Sequence, residues 1–368
     1  MKFVFVSYVA SMGFNNPEAW LKRINAYTGI LEALAITDTV ISIEQIDYEG
    51  SFLKNGVQYH FTELNAHERL IPAKLHHFIK NQEPNVVVVH GLHFPLQVLQ
   101  LRFTLGSHVK IIVQHHAEKP FNGIKKQLQR LAGISVNAYL FASKPMGLDW
   151  VKRGNLGPGN KIHEVMEVSS VFAPINRAAA LSKTNAGGQP VFLWVGRLNA
   201  NKDPLNVINA FLRYVQVQPQ ARLYMIYHTE ELLEEIRLAL NAQPCYKNNI
   251  SLIGKVPHAD LLYWFNSADF ILSGSYYEGS SAAVCEAMSC GCIPVATDID
   301  SFRMITDNGN CGILYQAGNE EALLEALKQT GQMDIPKKRE HTLAYYHATL
   351  SFAAIALRFR EVVSGLSK

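Results

Sequence analysis

Two kinds of hydrophobic spacing alternate along the chain. Between Phe3 and Val168, short apolar runs at residues 40–43, 86–89, 110–113 and 138–142 alternate with amphipathic stretches at 73–81, 96–105 and 124–131. The short runs predict strands and the longer stretches predict helices. A βα repeat of this kind builds a parallel sheet covered by helices on both faces. The opening apolar run around Phe3 to Val6 is too short for the core of a secretory leader and is followed by polar turn residues, so it predicts a first buried strand.

Residues 173–190 break the pattern with Pro174, Pro190, the Gly187-Gly188 pair and a run of small and polar side chains, which predicts a linker. A second βα series follows, with apolar runs at 191–195, 223–227, 250–253, 270–273 and 293–296. The last helical pattern, 338–364, comes after the strands have run out. The expected organisation is therefore a first domain over 1–172, a linker over 173–190, a second domain over 191–337 and a C-terminal helical segment over 338–368. Open parallel sheets bind ligands beyond the carboxyl ends of their strands, so a crevice between two such domains is the expected site.

The 368 residues, 48% apolar and 18% charged, suit two globular domains, and a formal net charge of +3 argues against nucleic acid as the main partner. No apolar run approaches the roughly 20 residues that span a bilayer, and the expected location is the cytoplasm. Cys245, Cys285, Cys290, Cys292 and Cys311 make an odd count with no C-x-x-C pair, which favours reduced, buried thiols over zinc. Of the fourteen histidines, His60, His67, His76 and His77 are expected at the surface.

The densest chemistry lies between Phe270 and Thr297. There a strand-like run is followed by Glu278-Gly279-Ser280-Ser281 and then by small and apolar residues at helical spacing. Gly279, Ser280, Ser281 and Ala282 are placed at a helix N-terminus, where open amides and the helix dipole favour an anion such as a phosphate. Glu278 and Glu286, with seven residues between them, are expected to face one cleft near the helix start, Glu286 about two turns into the helix. Carboxylates beside an anion site suit sugar hydroxyls, which donate to them. Upstream, Arg197 and Lys202 follow a strand end and can reach one diphosphate, arginine by a bidentate fork and lysine as a point charge.

The two glutamates followed by Ala287-Met288, Gly291 and Pro294-Val295, together with the upstream Gly196-Arg197-Leu198 and Lys202, resemble the retaining nucleotide-sugar-dependent glycosyltransferases of the GT-B fold, particularly family 4 (glycosyl transferases group 1). The resemblance implies an α/β GT-B fold: two Rossmann-like βα domains with parallel sheets facing an interdomain cleft, and a C-terminal helix that returns to the first domain. It implies transfer of a sugar from a nucleoside-diphosphate sugar to a hydroxyl on a carbohydrate or lipid-linked acceptor, as in polysaccharide or glycolipid biosynthesis, with peripheral contact at the inner membrane face. Glu278 and His116 take the catalytic positions, His115 being the alternative to His116. Glu286 takes the ribose, and Arg197, Lys202 and residues 279–282 take the diphosphate. No Asp-x-Asp pair occurs, and neither metal nor cofactor is implied. Two departures stand out. The first βα turn has Met12, Gly13 and Phe14 where the family usually has two glycines, and Val165 to Ser170 replaces the family's usual loop at the end of the first domain. Glu167 and Ser169 there are either cleft residues or an ordinary connection. A sugar-nucleotide epimerase and a non-catalytic nucleotide-sugar binding protein share the same motifs and remain as alternatives.

Overall fold

The computed structural model describes residues 1–366. Its residues form two compact units, one of Met1–Ser169 with the segment from Phe352 onward, the other of Ser170–Ser351. In the first, eight strands run β1 (Lys2–Ser7), β2 (Thr39–Gln45), β3 (Gly50–Lys54), β4 (Val57–Thr62), β5 (Val86–His90), β6 (Lys110–Gln114), β7 (Ala138–Phe141) and β8 (Ile162–Glu164). Their order in the sheet is β3-β4-β2-β1-β5-β6-β7-β8, parallel throughout except that β3 is antiparallel to β4. The four valines of β5 are each at most 1% exposed, as a strand covered on both faces requires. Growth of the sheet reverses between β1 and β5, which opens a crevice at their carboxyl ends.

The second unit carries β9 (Val191–Gly196), β10 (Arg222–Tyr227), β11 (Ile250–Gly254), β12 (Phe270–Ser273), β13 (Ile293–Thr297) and β14 (Ile313–Tyr315). They are all parallel, in the order β11-β10-β9-β12-β13-β14. This is the doubly wound arrangement, with its reversal between β9 and β12. Phe192, Trp194, Phe211 and Phe270 fill one face of the sheet, with Phe192 stacked on Phe270 at 5.1 Å between centroids.

Two expectations need correction. Residues 173–190 are not simply a linker: Arg177–Thr184 is a helix, capped by the Asn176 side chain on the Ala179 amide (3.0 Å) and ended by left-handed Asn185. The alanine run is a strong helix former, and Ala180 is fully buried. Asn266 holds the entry through the Ile175 amide (2.8 Å) and Thr184 meets Ser267 (2.9 Å), so the segment is packed into the second unit.

The helix expected over 338–364 is two helices, Ile335–Tyr345 and Phe352–Gly365, parted by a wide turn in which the Ser351 amide donates to the Tyr346 carbonyl five residues back (2.9 Å). Residues 367 and 368 of the expected C-terminal segment over 338–368 lie outside the described residues. The first helix stays with the second unit and the last packs on Asn25–Ala35 of the first. There the Phe352 ring packs directly on Gly29, where a Cβ would lie 2.5 Å from it. Phe359 meets Phe3 and Phe5 at 5.7 Å, and Arg360 donates to Asp38 (2.8 Å) and to the Leu34 carbonyl (3.1 Å).

Phe359→Ala should accordingly lower the stability of the first unit by about 3–5 kcal/mol. Hydrogen exchange during denaturant titration is expected to show earlier opening of β1 and β5 with the β9–β12 amides unchanged.

Candidate active site

In the second unit, two loops meet at the sheet reversal. The chain leaves β9 at Gly196 into exposed Arg197, then turns through Ala200–Lys202, where the Asn199 side chain accepts from the Lys202 amide (3.2 Å). The chain leaves β12 into residues 274–281 and enters the helix Ala282–Ser289. Backbone bonds lace the two loops: the Tyr276 amide donates to the Asn201 carbonyl (2.9 Å), and Asn201 Nδ2 donates to the Tyr277 carbonyl (3.0 Å). Gly274 allows this approach, since a Cβ there would sit 3.1 Å from the Lys202 carbonyl oxygen. The lacing brings Lys202 Nζ to 2.5 Å from Glu278 Oε1, with both side chains mostly covered (18% and 12% exposed). In a pair so shielded, removing one partner strands the other.

The helix after this loop begins at Ala282, so Glu286 is its fifth residue, little more than one turn in and not two. Ser281 precedes it with φ +28° and no side-chain cap, and Ala282 is exposed. That leaves the positive end of the helix facing outward. Glu286 is buried and its Oε1 lies 2.6 Å from Nε2 of half-exposed His258, from the turn His258–Asp260. That hydrogen bond raises the His258 pKa against the effect of partial burial. Sequence patterning gave no signal for His258, which lies 28 residues from its partner. Each glutamate of the E-x7-E pair thus already contacts a basic side chain from another loop.

In the first unit, β5 and β6 are adjacent and parallel, with His90 in register with Gln114, so the residues after both strands gather at one edge. His115 points into the core: its ring stacks on Phe141 at 4.5 Å and its Nε2 meets the Glu118 carbonyl (2.9 Å). His116 lines a cavity of about 480 Å³ together with Tyr27, His90, Glu118 and Glu167. Four of these residues form a chain. Glu167 Oε2 lies 2.5 Å from His116 Nδ1, His116 Nε2 lies 2.9 Å from His90 Nδ1, and His90 Nε2 lies 2.7 Å from the Tyr27 hydroxyl. Glu118 holds the turn by accepting from the amides of His116 (2.6 Å) and Leu92 (2.7 Å).

Burial disfavours charge on His116, but the facing Glu167 carboxylate outweighs it and raises the pKa. His90 moves the other way, well below the ordinary range, through burial and the neighbouring His116. The surroundings therefore favour the protonated form of His116 and the neutral form of His90. Glu167 thus belongs to the cavity wall. His76, expected at the surface, is instead 1% exposed and bonded through Nε2 to the Tyr8 hydroxyl (2.8 Å). Four cysteines are buried and Cys245 is exposed, and among the described residues no group of His, Cys, Asp and Glu is arranged to hold a metal ion.

Residues 177–346, which include Arg197, Lys202, Glu278 and Glu286, match the family model of glycosyl transferases group 1. A GDP-mannose:cellobiosyl-diphosphopolyprenol alpha-mannosyltransferase of Xanthomonas oryzae pv. oryzae is 24% identical over 269 residues, covering 71% of this chain and 69% of that protein. Among solved structures, a glycosyltransferase from Rickettsia africae superposes with a TM-score of 0.74 at 15% identity, covering 100% of this chain and 98% of that one. Anabaena Alr3699/HepE in complex with UDP also gives 0.74, at 13% identity, covering 99% and 100%. At such identities the structures show a shared fold. The chain shares the fold of two Rossmann-like domains with these glycosyltransferase structures, and its residues 177–346 are similar to the glycosyl transferases group 1.

Proposed function

We propose that the protein is a retaining glycosyltransferase that moves a sugar from a nucleoside-diphosphate sugar to a hydroxyl of a carbohydrate or lipid-linked acceptor. The observation that carries this is the meeting of Arg197, the Lys202–Glu278 pair and an open helix N-terminus at the reversal point of the second sheet. Breaking the bond between sugar and diphosphate adds negative charge to the leaving phosphate, which such cations and amides stabilise. Arg197, Lys202 and the turn at Gly279, Ser280, Ser281 and Ala282 take the diphosphate. Glu286, with His258 on one oxygen, accepts ribose hydroxyls with the other. Glu278 orients the sugar hydroxyls and faces the positive charge that develops at the reacting carbon, while His116 faces the sugar. The leaving phosphate takes the acceptor's proton, which gives retention without a metal. The names of the relatives support the donor and acceptor classes: one contains GDP-mannose and a diphosphopolyprenol acceptor, and a structural neighbour was solved with UDP. Among the described residues no helix is long and apolar enough to cross a membrane, so a cytoplasmic protein would meet a lipid-linked acceptor by peripheral contact.

The test is calorimetry with nucleoside diphosphates, followed by NMR of the product's anomeric configuration. Arg197→Ala should weaken nucleoside diphosphates by about 10- to 100-fold while leaving nucleosides unaffected, the loss of one charge-assisted contact. Equal loss for both ligands would remove Arg197 from the phosphate.

Lys202 and Glu278 act as one unit. Lys202→Ala and Glu278→Gln should each lower kcat, and the double variant should fall short of the product of the two effects, a coupling that the cycle reads directly. Glu286→Gln should weaken ribonucleoside diphosphates and leave the 2′,3′-dideoxy analogue unchanged, because that analogue lacks the hydroxyls the carboxylate accepts.

The His116 proton gives a pH test. Its folded pKa is raised, so the Glu167 contact stabilises fully below the ordinary histidine value near about 6.5 and is lost as pH rises through the higher folded value. Imidazole NMR should place the His116 titration above that of a free histidine, and Glu167→Gln should lower it, since only Glu118 then opposes burial. A His116 titration that does not move in Glu167→Gln would remove the pair from the mechanism.

A further inference from the structure

One helix of the first unit is turned with its apolar side outward. In Gly123–Ala132, Ile124, Leu128 and Leu131 recur at helical spacing along one side, and Ile134 follows just past the end. Ile124 is 81% exposed, Leu131 51% and Ile134 79%, whereas Gln129 on the far side is buried. An amphipathic helix that meets only its own protein and water packs the other way round, with leucine inward and glutamine out. The helix Pro95–Leu105 packs beside it and adds Phe103, at 93% the most exposed large apolar side chain among the described residues. Arg102 Nη2 donates to the Ser135 carbonyl (2.7 Å), so Phe103 and Ile134 stand at adjoining helix ends.

The chain's positive charge gathers on the same segment. Residues 95–161 hold ten lysines and arginines against two acids, and the rest of the chain holds 24 against 29, so the small net charge of +3 divides into +8 here and −5 elsewhere. Of the two acids, Glu118 is buried and Asp149 accepts from Arg153 Nε (2.7 Å). Lys125 and Arg130 flank the apolar stripe and are exposed, as are Lys152 and Arg153 at the end of the neighbouring helix Lys144–Lys152. Lys126 joins the two groups, since its Cε lies 3.4 Å from where a Cβ on Gly154 would stand.

Exposed aliphatic side chains bordered by cations fit a partner that is apolar within and anionic at its rim. A second copy presenting this face would set like charges against each other, and nucleic acid bases stack on aromatic side chains where this stripe is aliphatic. A bilayer holding anionic lipids supplies acyl chains for the stripe and headgroups for the cations. We infer that the outward side of Gly123–Ala132, with Phe103 and Ile134, docks on the surface of an anionic lipid bilayer. The start of this helix also reaches the cavity described above, because Lys125 Nζ lies 2.9 Å from Nδ1 of His93, a lining residue. The lipid contact stands on these side chains alone, and its service to a lipid-linked acceptor rests on the transfer activity proposed above.

The test mixes the full chain with vesicles of phosphatidylcholine, alone or with phosphatidylglycerol, and reads the bound fraction by flotation. The protein should bind the anionic vesicles, be released as salt is raised, and leave the neutral vesicles unbound. Arg130→Gln and Lys152→Gln should each weaken binding by about fivefold. Ile124→Ser combined with Leu131→Ser should weaken it by about tenfold or more with the thermal midpoint unchanged, and Phe103→Ser is the second variant should that pair unfold. Emission from Phe103→Trp should be quenched by brominated acyl chains in the anionic vesicles, which a purely electrostatic contact would not produce. Equal binding to both vesicle types, binding to neither, full binding in the folded serine variants, or unquenched emission would overturn the surface. Light scattering that shows dimers abolished by the serine pair would give the stripe to a second copy and overturn it too. Transfer to a soluble acceptor without vesicle binding removes the surface and leaves the reaction standing, whereas vesicle binding without nucleotide binding or transfer does the reverse.

Discussion

The approach of two loops at the reversal of the second sheet is the constraint on which the ligand edge of that domain depends. Residues 197–203 and 274–281 are far apart in sequence, yet Gly274 lets one backbone pass against the other and two hydrogen bonds fix the contact. Only with that contact in place does Lys202 reach Glu278. The paired lysine costs less to hold away from water than a lone one, and its charge stays beside the helix start at Ser281. A diphosphate arriving there would meet cations and amides already oriented, so little of the binding energy is lost to ordering them.

The two acids of the second domain are held by partners of different kinds, and this separates their roles. Glu278 faces the Lys202 ammonium. Glu286 faces a half-exposed imidazole whose raised pKa comes from Glu286 itself. Above that raised value the imidazole becomes neutral, and its Nε2 can still donate in the right tautomer, but the charge assistance is gone. The field at Glu286 therefore weakens as pH rises through the His258 titration.

Much of this was legible in the sequence, and what was not has a physical reason in each case. Most strands of the two sheets announced themselves because a strand buried on both faces must be an unbroken apolar run, as in β5, whereas the three-residue strands β8 and β14 were too short to show. Strand β4, next to the edge strand β3, alternates, with Tyr59 and Phe61 inward and polar residues between, and the hairpin that joins it to β3 was hidden by that alternation. Arg197, Lys202, Glu278 and Glu286 were found through local spacing. His258 and the Glu167–His116–His90 chain were not, because their contacts join residues 26 to 51 positions apart and only the sheet order brings them together. The helix over 177–184 was read as linker because glycines and prolines at its borders outweighed the alanine run inside it.

The first domain shows why a departure from a family pattern is better traced to its neighbours than counted as a loss. A glycine pair in the first βα turn would leave the cavity edge open and the Trp20 indole unsupported on one side. Phe14 closes that side, and Gly13, at φ +85°, is the one residue of the turn that must lack a side chain to let the chain double back. Gly13 donates its amide to Asp47 Oδ2 (2.5 Å), and the Phe14 carbonyl accepts from the Asp47 amide (2.8 Å), so a single aspartate after β2 holds both residues. The turn therefore exchanges openness for a rigid aromatic wall. At the far side of the same cavity, His116 has both ring nitrogens engaged, by Glu167 and His90. The cavity therefore has the aromatic pair Trp20 and Phe14 at one side and the hydrogen-bonded chain of Glu167, His116, His90 and Tyr27 at the other.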